Sequence, residues 1–152
     1  MPDVIISDTS CLIVLSNIGE LELLHKVYGN IITTKEVADE FGEDMPAWIT
    51  VHSAANVHYQ TLLSMQVDRG EASAIALAIE YNDCLLIVDD MKARKVAIKL
   101  GLTITGTIGV IAKAKSLGHI SAVEPYLKKI RDTDFRVSDE LYELVLREVG
   151  EL

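Results

Sequence analysis

Five carboxylates stand where the apolar pattern of this chain would gather them. Asp8 closes the run VIIS, and Asp89 with Asp90 closes CLLIV. Both runs are too short for helices and bounded by polar residues, so they read as buried strands. In parallel sheets ligands bind beyond the carboxyl ends of the strands, which aims these acids at one rim. Glu40 and Glu71 belong to helical segments on the way. In KEVADEF the apolar face is Val37 and Phe41. Helical geometry sets Glu40 about 80° from its centre, Glu36 about 120° and Asp39 about 180°, so Glu40 is expected to be partly buried. Acids crowded this way repel one another unless cations bind between them or some stay protonated. An all-oxygen set suits hard divalent ions such as Mg²⁺ or Mn²⁺. Their use would be phosphodiester hydrolysis, with metal activating water and stabilising the leaving oxygen. Each acid also has a simpler explanation. Aspartates at strand ends cap helices, Asp68 and Glu71 have capping-box spacing, and Glu40 on a surface helix needs no special role.

The elements that would position these acids alternate along the chain. After VIIS, Thr9 or Ser10 is expected to cap a helix through CLIVLSNIG, which Gly19 breaks. ELELLHKVYG is a short helix stopped by Gly29. NIIT is a second strand, and Thr34 then caps KEVADEFG, stopped by Gly42. ITVHS is a short strand candidate, and 54–66 reads as helical. After Asp68, Ala72, Ile75, Ala76 and Ile79 recur at the spacing of one apolar helix face. CLLIV follows, then a helix with Ala93, Val96, Ala97 and Leu100 inward, ended by Gly101. LTIT is another strand, followed by Gly106 and the helix TIGVIAKAKSLG. Pro125 opens a further helix. Ser138 caps the last one, with Leu141, Leu144, Val145 and Val149 expected to face inward. Apolar strands alternating with helices predict an α/β protein with a central parallel sheet covered on both faces.

The chain has 152 residues, which fits one domain over 1–152. Its 49% hydrophobic and 24% charged residues exclude disorder and collagen-like structure. Aromatics are only 5%, which argues against an aromatic stacking platform as the main binding mode. Cys11 and Cys84 each adjoin an apolar run and read as small buried hydrophobes. The four histidines are too scattered for a zinc site. No basic stretch precedes the first apolar run and no run approaches membrane-spanning length, so a soluble cytoplasmic protein without a membrane partner is expected.

A net charge of −9 argues against nucleic acid as a partner. The distribution softens that objection. Residues 1–90 hold 15 acids and three bases, whereas 91–123 hold six bases and no acid. Periodicity places Lys92, Lys95 and Lys99 together on the outer side of their helix, beginning two residues past Asp90. An acidic part for metal ions and a basic part for phosphates can coexist in one chain. A solvated helix face would explain the lysines equally simply.

The segments VIISDTSCLIVL, TTKEVADEF, DRGEASAIALA, LLIVDDMKARKVA and TITGTIGV, in this order, resemble the PIN-domain family along nearly the whole chain. The likeness is greatest to an uncharacterised prokaryotic branch with a GEAxAIxLA helix and a TGTxGV turn. The resemblance implies a Rossmann-like three-layer α/β/α sandwich and a Mg²⁺- or Mn²⁺-dependent ribonuclease site, often in VapC-like toxins of toxin–antitoxin pairs. The family's acids fall on Asp8, Glu40, Glu71 and Asp89, with Asp90 adjacent, and its polar helper position on Thr107. Metal would be held by Asp8, Glu71 and Asp89. Toxin relatives commonly carry Asp where this chain has Glu71.

The expected partners are then an RNA substrate bound over Lys92, Lys95 and Lys99, an antitoxin protein if the chain is a toxin, and a second copy in a homodimer. The alternative is a non-catalytic PIN module that binds nucleic acid or a protein. A phosphorelay receiver fits less well. Its aspartate pair follows the first strand, whereas here the pair follows a later one.

Overall fold

The computed structural model describes residues 1–152. Five short parallel strands form the sheet: β1 (Val4–Ser7), β2 (Ile31–Thr34), β3 (Ile49–His52), β4 (Cys84–Ile87) and β5 (Thr103–Thr105). Their spatial order is β3-β2-β1-β4-β5. The chain runs from β1 out to β3 on one side, then returns to the other side of β1 for β4 and β5. The winding therefore reverses between β1 and β4, which pair in the register Val4↔Cys84 to Ser7↔Ile87.

Nine helices connect and flank the strands: α1 (Thr9–Asn17), α2 (Glu22–Tyr28), α3 (Lys35–Phe41), α4 (Val57–Leu63), α5 (Arg69–Ile79), α6 (Met91–Lys99), α7 (Thr107–Ser116), α8 (Glu124–Arg131) and α9 (Asp139–Glu148). Alternation along the strands divides the core. Ile6, Cys84 and Leu86 point to the layer of α4, α5 and α6. Ile5, Ile31 and Ile87 point to the layer of α1, α2, α3 and α7. A third cluster joins α8 and α9 to the outer sides of α1, α2 and α7 through Val14, Leu23, Ile111, Leu127 and Ile130. This is the three-layer α/β/α sandwich that the alternation of strands and helices predicts. Both cysteines are buried and free.

Four local expectations change, the first being Leu100, placed inward by spacing but 39% exposed at the end of α6. Asp8 itself is the N-cap of α1, in place of Thr9 or Ser10, because its extended backbone lets the carboxylate accept the Thr9 N–H. Helix α5 is buried nearly all round rather than on one face. Its glycine, alanines and serine let α3, α4 and the sheet close against it, while Ile79 at its end is 38% exposed. In α9 Val145 and Leu146 are buried and Val149 packs against the same cluster, whereas Leu141 and Leu144 are 37% and 48% exposed. The helix rotates to bring Tyr142 onto Glu124, with the hydroxyl donating to Oε2 at 2.8 Å. No helix is long and apolar enough to cross a membrane.

Candidate active site

The site lies where the winding reverses, beyond the carboxyl ends of β1 and β4. Asp8 follows β1 directly. Its amide still donates to Ile87 O at 2.9 Å, so the residue is held on the sheet, and it is only 3% exposed. Oδ1 accepts from the Thr9 amide at 2.7 Å. Burial pushes the Asp8 carboxyl up to about 7. The Thr9 hydrogen bond opposes this, and the charges of Glu71, Glu40 and Asp89 add to it.

Asp89 is placed by the next strand and helix. Its Oδ1 accepts from the Thr107 amide at 2.8 Å and its Oδ2 from the Thr107 hydroxyl at 2.6 Å. Both contacts come from the first residue of α7, where helix amides lack partners and the dipole favours an anion. Asp90 has a different task. It is the exposed N-cap of α6, with Oδ2 accepting from Ala93 N at 3.0 Å.

Glu71 sits in the first turn of α5, where its Oε2 accepts from the Asp68 amide at 3.4 Å as part of the capping box. Burial pushes its carboxyl up to about 7, and the charges of Asp90, Asp68 and Glu40 add to this. Glu40 departs from expectation. It is exposed, and Glu36 is the half-buried acid of α3. Tertiary neighbours decide this: Gln60 on α4 covers Glu36 and donates to its carboxylate, whereas Glu40 Oε2 turns to accept from Thr9 Oγ1 at 2.9 Å.

Asp8, Glu40, Asp68, Glu71, Asp89 and Asp90 all line one cleft of about 740 Å³. Thr107 stands behind Asp89 and is fully buried. No three of the side chains already converge as a metal cage. The donor chemistry nevertheless fits a hard divalent cation. All donors are carboxylate oxygens, and Asp8 and Glu71 are both raised by burial and by the charges of neighbouring carboxylates. Lys92, Lys95 and Lys99 are exposed, as periodicity predicts, but they line a separate groove with Tyr59, Leu62, Leu63, Val96 and Leu100. Lys92 alone also lines a small depression with Asp68, Glu71 and Asp90, which connects that groove to the cleft.

Several contributors escape a reading of residue types. Thr9 holds Glu40. Gly70 leaves the space that the Glu40 carboxylate fills, since a Cβ there would stand 2.5 Å from Oε1. Gly106 does the same for Asp89, 2.6 Å from Oδ1, and for Arg94, whose Nη1 donates to Val88 O at 2.8 Å. Both glycines lie within the DRGEA and TGT segments, so a signal was present in their position next to an acid. Thr133–Arg136, between α8 and α9, also line the cleft, and nothing in their local sequence marks them.

Nothing among curated proteins or solved structures matches the chain. A family model described as a PIN domain matches residues 4–151, spanning every strand and helix and all the cleft acids. That family is of nuclease type and typically uses divalent metals. With the match running from β1 past α9, the chain belongs to the PIN-domain family.

Proposed function

We propose that this protein is a Mg²⁺- or Mn²⁺-dependent endoribonuclease. The observation that carries this is the arrival of Asp8 and Asp89 at the ends of two adjacent parallel strands, in one cleft with Glu40 and Glu71. Asp8, Glu71 and Asp89 would hold the ion, with Asp90 beside them. A bound divalent ion lowers the pKa of water and neutralises charge on the leaving oxygen. Thr107 fixes both oxygens of Asp89, so that carboxylate needs little reorganisation. Glu40, steadied by Thr9, is the base that takes the proton of the attacking water. Lys92, Lys95 and Lys99 contact the RNA backbone, with Lys92 nearest the acids. Such contacts position a strand without reading its sequence.

The test is cleavage of a panel of RNAs by the wild type, Asp8→Asn and Asp89→Asn, with and without Mn²⁺. Metal-dependent cleavage lost in both variants supports the reading. Equal Mn²⁺ binding by all three proteins in calorimetry would place the metal elsewhere.

A second reading is a module that captures a protein, with or without catalysis. The apolar floor of the lysine groove favours it. Leu62 is 59% and Met65 82% exposed there, ringed by lysines and no acid. An antitoxin-like partner with acidic and apolar residues, or a second copy in a homodimer, would cover that surface. Sedimentation at micromolar concentration separates the two, since a species of 16.7 kDa excludes the homodimer.

A further inference from the structure

The cleft has a wall that the proposed chemistry leaves unused. Of the 16 residues lining it, seven are acids and one, Arg136, is a base. Arg136 is exposed and makes neither an ion pair nor a hydrogen bond with the protein, although acids surround the same space. Its neighbour Phe135 is half-buried. The ring packs against the cluster of α8 and α9 and also lines the cleft.

The loop that carries them is pinned at both ends. Thr133 Oγ1 donates to Ile130 O at 2.6 Å and accepts from the Phe135 amide at 3.1 Å. Beyond Arg136, Val137 is buried, and its carbonyl accepts from Arg131 Nη2 at 3.2 Å. Arg131 in turn pairs with Asp139 and lies over the Tyr142 ring, 4.3 Å from its centroid. Arg131 is thus spent on structure, whereas Arg136 is free.

A fixed aromatic next to a free guanidinium, on the wall of an acidic cleft, is complementary to a nucleotide. The guanidinium matches a phosphate with two parallel hydrogen bonds. The ring face stacks a base that is not already stacked in a duplex. Lys92 offers cationic charge where the cleft opens toward the lysine groove, so a strand crossing the acids would meet a cation at Arg136 and again at Lys92.

We propose that Phe135 and Arg136 form a nucleotide subsite for single-stranded RNA, one phosphate on Arg136 and the adjoining base on Phe135. This rests on the nuclease reading above. The test is binding of a labelled single-stranded RNA oligonucleotide across salt concentrations, with Ca²⁺ in place of the catalytic metal. Arg136→Gln is expected to weaken binding and lower the salt slope by about 0.7, the value for one phosphate on a single strand. Arg136→Lys should keep the slope. Phe135→Leu is expected to weaken binding roughly five-fold or more with the slope unchanged, and Phe135→Tyr to restore it. Mn²⁺ binding and melting temperature should match wild type in Arg136→Gln. Unchanged affinity and slope in Arg136→Gln, while a Lys92→Ala, Lys95→Ala, Lys99→Ala triple variant binds more weakly, overturns the subsite and leaves the nuclease reading standing. A wild-type protein that binds no RNA overturns both.

Discussion

The carboxylate of Glu40 occupies the space where Gly70 lacks a side chain, with 2.5 Å between Oε1 and the position of an added β-carbon. The two residues come from different helices, α3 and α5, and the glycine is what lets them meet. Gly70→Ala should therefore push Glu40 off its place near Thr9 without harming the fold. Gly70 lies in the first turn of α5 with ordinary helical backbone, where alanine is favoured over glycine by up to about 1 kcal/mol. Melting temperature should hold or rise. Metal-dependent cleavage should fall about 10-fold or more, since misplacing a catalytic group by an ångström costs on that scale. Full cleavage activity in Gly70→Ala would remove Glu40 from the machinery.

Thr107→Val tests the support of Asp89. Valine keeps the shape and the backbone amide contact but deletes the hydroxyl that donates to Oδ2. Thr107 is fully buried, so no water replaces the lost donor. Stability should drop by about 1–2 kcal/mol, and Mn²⁺ affinity by about 10-fold as the ligand loses its orienting partner. Chemical denaturation and calorimetry measure the two effects separately. Undiminished affinity would show that Asp89 is held well enough by the amide alone.

What could be seen in the residues beforehand was local. Runs such as VIIS and CLLI are apolar on both sides because both sheet faces are covered, and an acid after each run must lie at the strand end. Helix stops were equally plain: Gly29, Gly42 and Gly101 all adopt positive φ. The periodicity of α6 placed three lysines outward because Ala93 and Ala97, with Val96 beside them, face the core. Contacts between distant segments were not visible. Glu36 and Glu40 differ by one turn of the same helix, and Gln60 and Thr9 decide which is covered. Leu141 and Leu144 fit an inward stripe by spacing, yet α9 meets its cluster through Tyr142, Val145, Leu146 and Val149, a face rotated away from both leucines. The wall at Phe135 and Arg136 arises because α8 folds back against α2 and α7, which no local pattern announces.

Glu151 ties the end of the chain to the body. Its Oε2 accepts from Val123 N at 2.7 Å and Lys115 Nζ at 2.9 Å, and its Oε1 from Glu124 N at 3.0 Å. It thereby caps the start of α8, which has no side-chain cap of its own. Glu151→Ala leaves two amides and an ammonium without their acceptor. A loss of about 2–3 kcal/mol is expected, since hydrogen bonds to a charged group are the stronger kind. Glu151→Gln should lose less, because one oxygen still accepts. Urea denaturation of both variants checks the order, and equal stability of Glu151→Ala and wild type would dismiss the clamp.

The pH dependence of the metal-free protein follows from the crowding of acids. Burial raises Asp8 from 3.8 and Glu71 from 4.5, each to about 7. Between about pH 4 and pH 7 the folded state therefore binds more protons than the unfolded chain. Stability is full below that window and is lost as pH rises through it. Glu151 shifts in the opposite direction, so its contribution is already present at both pH 5 and pH 8 and is lost only as pH falls below its ordinary value of 4.5. For Asp8, the change from 3.8 to about 7 corresponds to roughly 4 kcal/mol. Glu71 is more exposed and adds less. With EDTA present, wild type should therefore be less stable at pH 8 than at pH 5, and Asp8→Asn should narrow the difference. The asparagine oxygen can still accept from Thr9 N, so the cap of α1 survives. Mn²⁺ should restore wild-type stability at pH 8 and have a smaller effect on Asp8→Asn. Urea titrations at the two pH values measure all of these. Equal wild-type stability at pH 5 and pH 8 without metal would mean that the acids are already relieved by water, and that the cleft is not under charge strain.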